Sequence, residues 1–216
     1  MRKDLTYAKQ QLGGAKPSEG KLLGVPWDRE QDVISVIREI TQTETTKRGV
    51  LSHLEKIYDP LGLPSPVTLI GGRQLYRDIC DDKIPWDTQL PGRLLKRWKD
   101  WNSALTGNLT VPRALAPHHQ PISSLTLHAF GDASAKGVSA AVYSIVHHDQ
   151  GVTQQLVCLK SRLAKKNLTI PRLELVAGHM TVNLVTNVQA ALNFLPQETH
   201  CWLDSTVALY WIKGHL

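Results

Sequence analysis

"LHAFGDASAKGVSAAVYSI" (Leu127–Ile145) decides how this chain folds. Two stretches of alternating, β-type residues flank one acid, Asp132, and the Gly- and Ser-containing turn that follows it. Aspartate is depleted in strands. A carboxylate at the end of a sheet strand costs desolvation unless something pairs with it, and a metal ion is one such partner. The stretch therefore predicts two neighbouring strands, Leu125–Asp132 and Gly137–Val146, with an acid at the junction.

Working toward the C-terminus, Gln154–Lys160 reads as a third strand, with "HHDQG" as the hairpin turn before it. After "NLTIPRLEL" a helical pattern sets Leu173, Val176, Met180, Leu184 and Val188 on one face, ending near Pro196. Thr199–Asp204 is a fourth strand, and "STVALYWIK" opens a helix with Ser205 as N-cap. The order β-β-β-α-β-α predicts a mixed sheet with helices packed on it. It puts Asp132 and Asp204 at two strand ends and Glu174 near the start of the long helix.

If the first and fourth strands are parallel neighbours, their C-terminal ends bring Asp132 and Asp204 together, at the edge where ligands bind open sheets. Three converging carboxylates repel one another unless cations bind them. Oxygen-only ligation suits Mg²⁺ or Mn²⁺, and two such ions about 3.5–4 Å apart clamp the oxygens of a phosphodiester. Each acid taken singly also has a plain explanation. Glu174 would suit a helix N-terminus electrostatically, Asp204 would suit an N-cap, and Asp132 would begin a turn. A common site accounts for all three at once.

Working toward the N-terminus, the segment Val111–Pro121 has three prolines and no clear period, and predicts a linker over residues 111–122. Before it lies helical patterning. Residues 1–20 are polar and loose, and Lys21–Asp28 reads as a short strand. Val33, Ile34, Ile37 and Ile40 recur at helical spacing. Thr45 or Thr46 caps a helix that "DPLG" stops. Further helices are expected over Val67–Cys80 and about Pro91–Leu105. On the last of these Leu94, Trp98, Trp101 and Leu105 form an apolar stripe. Arg93, Lys96, Arg97 and Lys99 lie mostly off it, either as a solvated face or as a surface for a phosphate backbone. The organisation expected is thus a helical region over 21–110, the linker, and a sheet-based domain over 123–216.

The 216 residues and 42% hydrophobic content suit one large domain or two small ones. The formal charge of +6 and pI near 9.3 fit a nucleic-acid partner. Cys80, Cys158 and Cys201 are odd in number and widely spaced, which argues against a disulfide framework or a zinc site and for an intracellular setting. No apolar run is long enough to span a membrane, and the polar start lacks the core of a signal peptide.

Three stretches make a family resemblance specific. "HAFGDASAKGVSAAVYS", "LVCLKSRLAKKNLTIPRLELVAGH" and "CWLDSTVALYWIK" resemble the ribonuclease H domain of retroelement polyproteins, and within these the Pao/BEL class of LTR retrotransposons. Upstream, "LGVPWD", "TKRGVLSHLEKIYDPLGLPSPVTL", "KIPWDTQLPGRLLKRWKDW" and "VPRAL" resemble the end of the palm, the thumb and the connection of the same class's reverse transcriptase. The resemblance covers nearly all of Gly20–Leu216. It implies an α/β (α+β overall) chain, with a helical thumb/connection-like part followed by a C-terminally truncated ribonuclease H-like sheet. It also implies metal-dependent hydrolysis of RNA in an RNA–DNA hybrid, with Asp132, Glu174 and Asp204 as catalytic and metal-binding acids. Mg²⁺ or Mn²⁺ is the cofactor, and the rest of a reverse transcriptase polyprotein is a partner. The family's fourth acid would fall after Leu216, so activity in this fragment is expected to be impaired. A non-catalytic nucleic-acid-binding remnant is the alternative, and a domesticated interaction module is a third. Segments of this class have also been assigned to an aspartic peptidase family. That chemistry needs Asp-Thr/Ser-Gly, and "DAS" at Asp132–Ser134 lacks the glycine.

Overall fold

Short β-branched runs early in the chain find partners far along it. The computed structural model describes residues 19–22, 24–36, 44–65, 70–105, 107–116, 121–193 and 195–214. Strands β1 (Glu19–Leu22), β2 (Val25–Asp28), β3 (Val33–Val36) and β4 (Leu109–Pro112) form an antiparallel sheet in that order. Gly24, at φ 84°, makes the turn that splits the expected Lys21–Asp28 strand in two. The Asp28 carboxylate accepts from the backbone N–H groups of Glu30 and Gln31 and so closes the next turn.

Three expectations change here. The helical spacing that begins at Val33 and Ile34 gives way to β3, where Ile34 pairs with Val111 and Val36 with Leu109. Four residues fit either period, and the β-branched Val33, Ile34 and Val36 favour the pleated surface once a partner strand exists. Ile37 and Ile40 lie outside the described residues. The region before the linker is therefore not helical throughout: it carries this sheet. The linker itself loses Val111 and Pro112 to β4 and Ile122 to the next strand. Of the expected loose segment 1–20, only Glu19 and Gly20 are described, and both belong to β1.

Helices α1 (Lys47–Lys56), α2 (Ile70–Asp81) and α3 (Gly92–Ala104) pack around Val50, Leu54, Leu75, Ile79, Leu90, Leu94 and Trp98. Thr46 is the N-cap of α1; its hydroxyl accepts from Gly49 N at 3.1 Å. The "DPLG" segment after α1 does more than stop a helix. Leu61 O accepts from Leu159 N at 2.8 Å, so the segment docks on an edge strand of the second sheet. A Cβ at Gly62 would lie 1.6 Å from Leu159 O, and its φ is 75°, so only glycine fits this approach.

The second sheet contains β5 (Ile122–Ala133), β6 (Gly137–His148), β7 (Gly151–Leu163) and β8 (Glu198–Leu203), ordered β7-β6-β5-β8. The pairs β5–β6 and β6–β7 are antiparallel, and β5–β8 is parallel. Helix α4 (Ile170–Ala191) covers one face and α5 (Thr206–Lys213) follows β8. Leu125, Leu127 and Ala129 alternate inward along β5 and meet Val142, Val146 and Val185. The buried face of α4 runs through Leu173, Ala177, Met180, Thr181 and Val185. It is rotated from the expected stripe, leaving Val176 41% exposed. The molecule is thus a mixed α+β structure with five helices and two sheets among the described residues. None of those helices is long and apolar enough to cross a membrane.

Candidate metal centre

The parallel pairing of β5 with β8 sets the geometry of the three acids. The register aligns Gly131 with Leu203, so Asp132 and Asp204 follow side by side at the same sheet edge. Glu174 is the fifth residue of α4 and is only 6% exposed. It reaches the edge because the helix lies close on β5 at Gly131. A Cβ there would sit 2.3 Å from the Thr181 hydroxyl and 3.1 Å from Ala177 O. Any side chain at this position would push α4, and Glu174 with it, away from Asp132.

One carboxylate oxygen from each of Asp132, Glu174 and Asp204 lies within 4.8 Å of the other two. The single-residue explanations now separate from this arrangement. The N-cap of α5 is Ser205, whose hydroxyl accepts from Ala208 N at 3.2 Å, so Asp204 does not cap. The turn after β5 is built by Ser134, whose hydroxyl accepts from the N–H groups of Lys136 and Gly137. Among the described residues Asp132 accepts from its neighbour, Ala133 N, at 2.8 Å. The first turn of α4 holds no acid, and a helix dipole acts within that turn.

Electrostatically the site is uncompensated. Among the described residues none of the three acids forms an ion pair, and Glu174 Oε2 is buried with no hydrogen-bond partner. Burial, then the charges of Asp204 and Asp132, pushes the Glu174 carboxyl above its usual range, against a lowering hydrogen bond from Ala133. An orphaned buried oxygen beside two exposed carboxylates is a donor set that fits a hard divalent cation. These residues would hold it.

Arg93, Lys96, Arg97 and Lys99 lie on α3, in the helical unit. Arg93 pairs with Asp82 at 2.8 Å and Arg97 with Asp78 at 2.7 Å, both on or just after α2. Lys96 and Lys99 are exposed. Sequence reasoning passed over Gly131 and Thr181, which let α4 approach. The signal available was the glycine directly before Asp132 in an otherwise side-chain-rich strand.

A family model described as Pao retrotransposon-like RNaseH-like domain matches residues 46–205. Among solved structures, the chain is similar to one titled "Structure of the foamy viral protease-reverse transcriptase dRH in complex with ds DNA". Identity is 18% and the TM-score 0.47, over 92% of this chain and 33% of that one. The chain thus spans about a third of the solved structure's length. No curated protein gives a significant match.

Proposed function

The chain belongs to the Pao retrotransposon-like RNaseH-like domain family, and from that premise we propose that it acts in metal-dependent hydrolysis of the RNA strand of an RNA–DNA hybrid, as part of a reverse transcriptase polyprotein. The observation that carries this reading is the meeting of three carboxylate oxygens, from β5, α4 and the end of β8, within 4.8 Å. Mg²⁺ or Mn²⁺ suits the all-oxygen set. When bound, such ions supply Lewis-acid charge that activates water and stabilises the leaving oxygen of a phosphodiester.

The protein groups divide the work by exposure. Asp132 and Asp204 are exposed and present their oxygens on the solvent side. Glu174 backs them from the buried side and either completes the ligand set or positions the attacking water. Its raised pKa makes a proton compete with a cation for the same oxygens, so cation affinity should increase with pH.

The test is cleavage of a hybrid labelled on its RNA strand, with and without Mg²⁺, by this chain and by Asp132→Asn. Cleavage that needs the cation and fails in Asp132→Asn supports the reading. Cleavage that survives Asp132→Asn overturns the assignment of the site. Binding of hybrid with no cleavage under any divalent cation replaces hydrolysis with the non-catalytic, nucleic-acid-binding role.

A further inference from the structure

Ala164 follows β7 directly and is only 3% exposed. It sits in a core shared with Leu173, Ala177 and Met180 of α4. A buried carbonyl needs a donor, and past the end of a strand the ladder no longer supplies one. Helix α2 does. Arg77 Nη1 donates to Ala164 O at 2.7 Å, the length of a charge-assisted bond. Arg77 is half-buried and, among the described residues, forms no ion pair. The acids beside it on α2 are engaged elsewhere: Asp78 takes Arg97, and Asp81 takes Lys166. Arg73 Nη1 lies 3.5 Å from Ser161 O, at the limit of a hydrogen bond, which leaves Arg77 as the firm contact.

Ala164 connects to both sides of the acid cluster. Its N–H donates to Lys136 O at 3.0 Å, in the turn that follows Asp132. Ser134 closes that turn: its hydroxyl accepts from Lys136 N and Gly137 N, and its N–H donates to Gly137 O at 2.8 Å. On the other side Ala164 packs with Leu173, the residue before Glu174. Ile70, the first residue of α2, reaches the same turn, with its Cδ1 3.3 Å from where a Cβ at Gly137 would lie. One helix of the helical unit thus rests against the turn that follows Asp132 and the segment that precedes Glu174.

We propose that Arg77 is a positioning residue for the acid cluster. By holding Ala164 O it fixes the turn after Asp132 and the approach of α4, and so the spacing between Asp132 and Glu174. Without that donor the carbonyl is left unsatisfied, the segment shifts toward solvent to recover a partner, and the two carboxylates part. This rests on the reading of the cluster as a metal centre.

The test measures Mn²⁺ affinity from the electron paramagnetic resonance signal of the free ion, in the full chain and in its variants. Arg77→Met keeps the apolar stem and removes the donor. Arg77→Lys restores one donor, which is enough for a carbonyl. Ile79→Val trims the same helix where it packs into the helical core instead. Arg77→Met should weaken Mn²⁺ binding about tenfold, the lower end for losing a group that orients metal ligands, and lower kcat on hybrid with KM unchanged. Arg77→Lys should recover most of the affinity, and Ile79→Val should change none of it. Unchanged affinity in Arg77→Met, an equal loss in Ile79→Val, no recovery in Arg77→Lys, or a loss of activity through KM alone overturns the assignment. The two readings fail separately. A wild-type chain that binds no Mn²⁺ loses the metal centre, and amide exchange then judges Arg77 by itself. Faster exchange at Ala133 and Ala164 in Arg77→Met than in Ile79→Val keeps the positioning, and equal exchange ends it. A chain that binds Mn²⁺ with the expected ranking but never cuts hybrid loses hydrolysis and keeps the role of Arg77.

Discussion

The helical unit and the sheet edge use the same kinds of residue to opposite ends. Around α1–α3 three arginines are matched by acids: Arg48 with Asp87, Arg93 with Asp82 and Arg97 with Asp78. Thr46 caps, and His53 is buried with its ring edge-on to Trp98 at 5.2 Å and Trp101 at 5.7 Å. At the end of β5 and β8 three acids meet, and among the described residues none of them forms an ion pair. The first region answers these arginine charges with acids of its own. The second leaves favourable electrostatics unmade, as a site does when its partner comes from outside.

That contrast can be broken most sharply by substitution. Asp132→Asn should lower hybrid cleavage by on the order of a hundredfold or more, the scale for losing one electrostatic contribution to a transition state. In chelator it should not lower unfolding stability, because it removes a like charge from the cluster. Leu94→Ala should do the reverse for stability. Leu94 is fully buried in the helical core, and such truncations cost about 2–5 kcal/mol. Urea unfolding of both variants, beside cleavage rates, checks the pair. A destabilised Asp132→Asn in chelator would mean that the acids support the fold rather than burden it.

The two regions should also respond to pH with opposite signs. Burial, and after it the Lys56 charge, holds His53 below its ordinary value of 6.5. Its contribution is present above that value and is lost as pH falls through the lowered one. Glu174 is raised above its ordinary 4.5. Its contribution is full below that value and is lost as pH rises through the raised one. Hydrogen exchange in chelator should therefore show α1 loosening toward acid and the β5–α4 contact loosening toward neutral pH. His53→Phe should flatten the first trend and Glu174→Gln the second. The same sign in both regions would remove the contrast.

The smallest effect expected is at the caps, where the regions should agree. Thr46→Ala and Ser205→Ala each remove one side-chain acceptor from a helix start. Each should cost about 1 kcal/mol, read from unfolding midpoints. A far larger loss at Thr46, which is buried and bridges to Gln89, would show that its packing outweighs its capping.

Much of this is written locally in the chain. The alternation in β5 and β6, the turn chemistry around Ser134, the caps Thr46 and Ser205 and the apolar stripe of α3 all depend on residues a few positions apart. The positions of Asp132 and Asp204 at strand ends follow from the same short-range patterns. Other features depend on partners that no local window contains. Val33–Val36 matches two periods until Leu109–Pro112 pairs with it. Arg93 and Arg97 read as a free basic face until α2 packs alongside and supplies Asp82 and Asp78, 11 and 19 positions away.

By itself, then, the sequence determined which chemical groups exist and which short elements carry them: acids at strand ends, a helix opening near Glu174, and cations in excess. Tertiary structure alone decided which charges are answered. It joined β5 to β8 in parallel, brought α4 down on Gly131 and so placed three carboxylate oxygens within 4.8 Å. The reason is that desolvation and Coulomb energy depend on burial and on distance in space. Neither follows from separation along the chain.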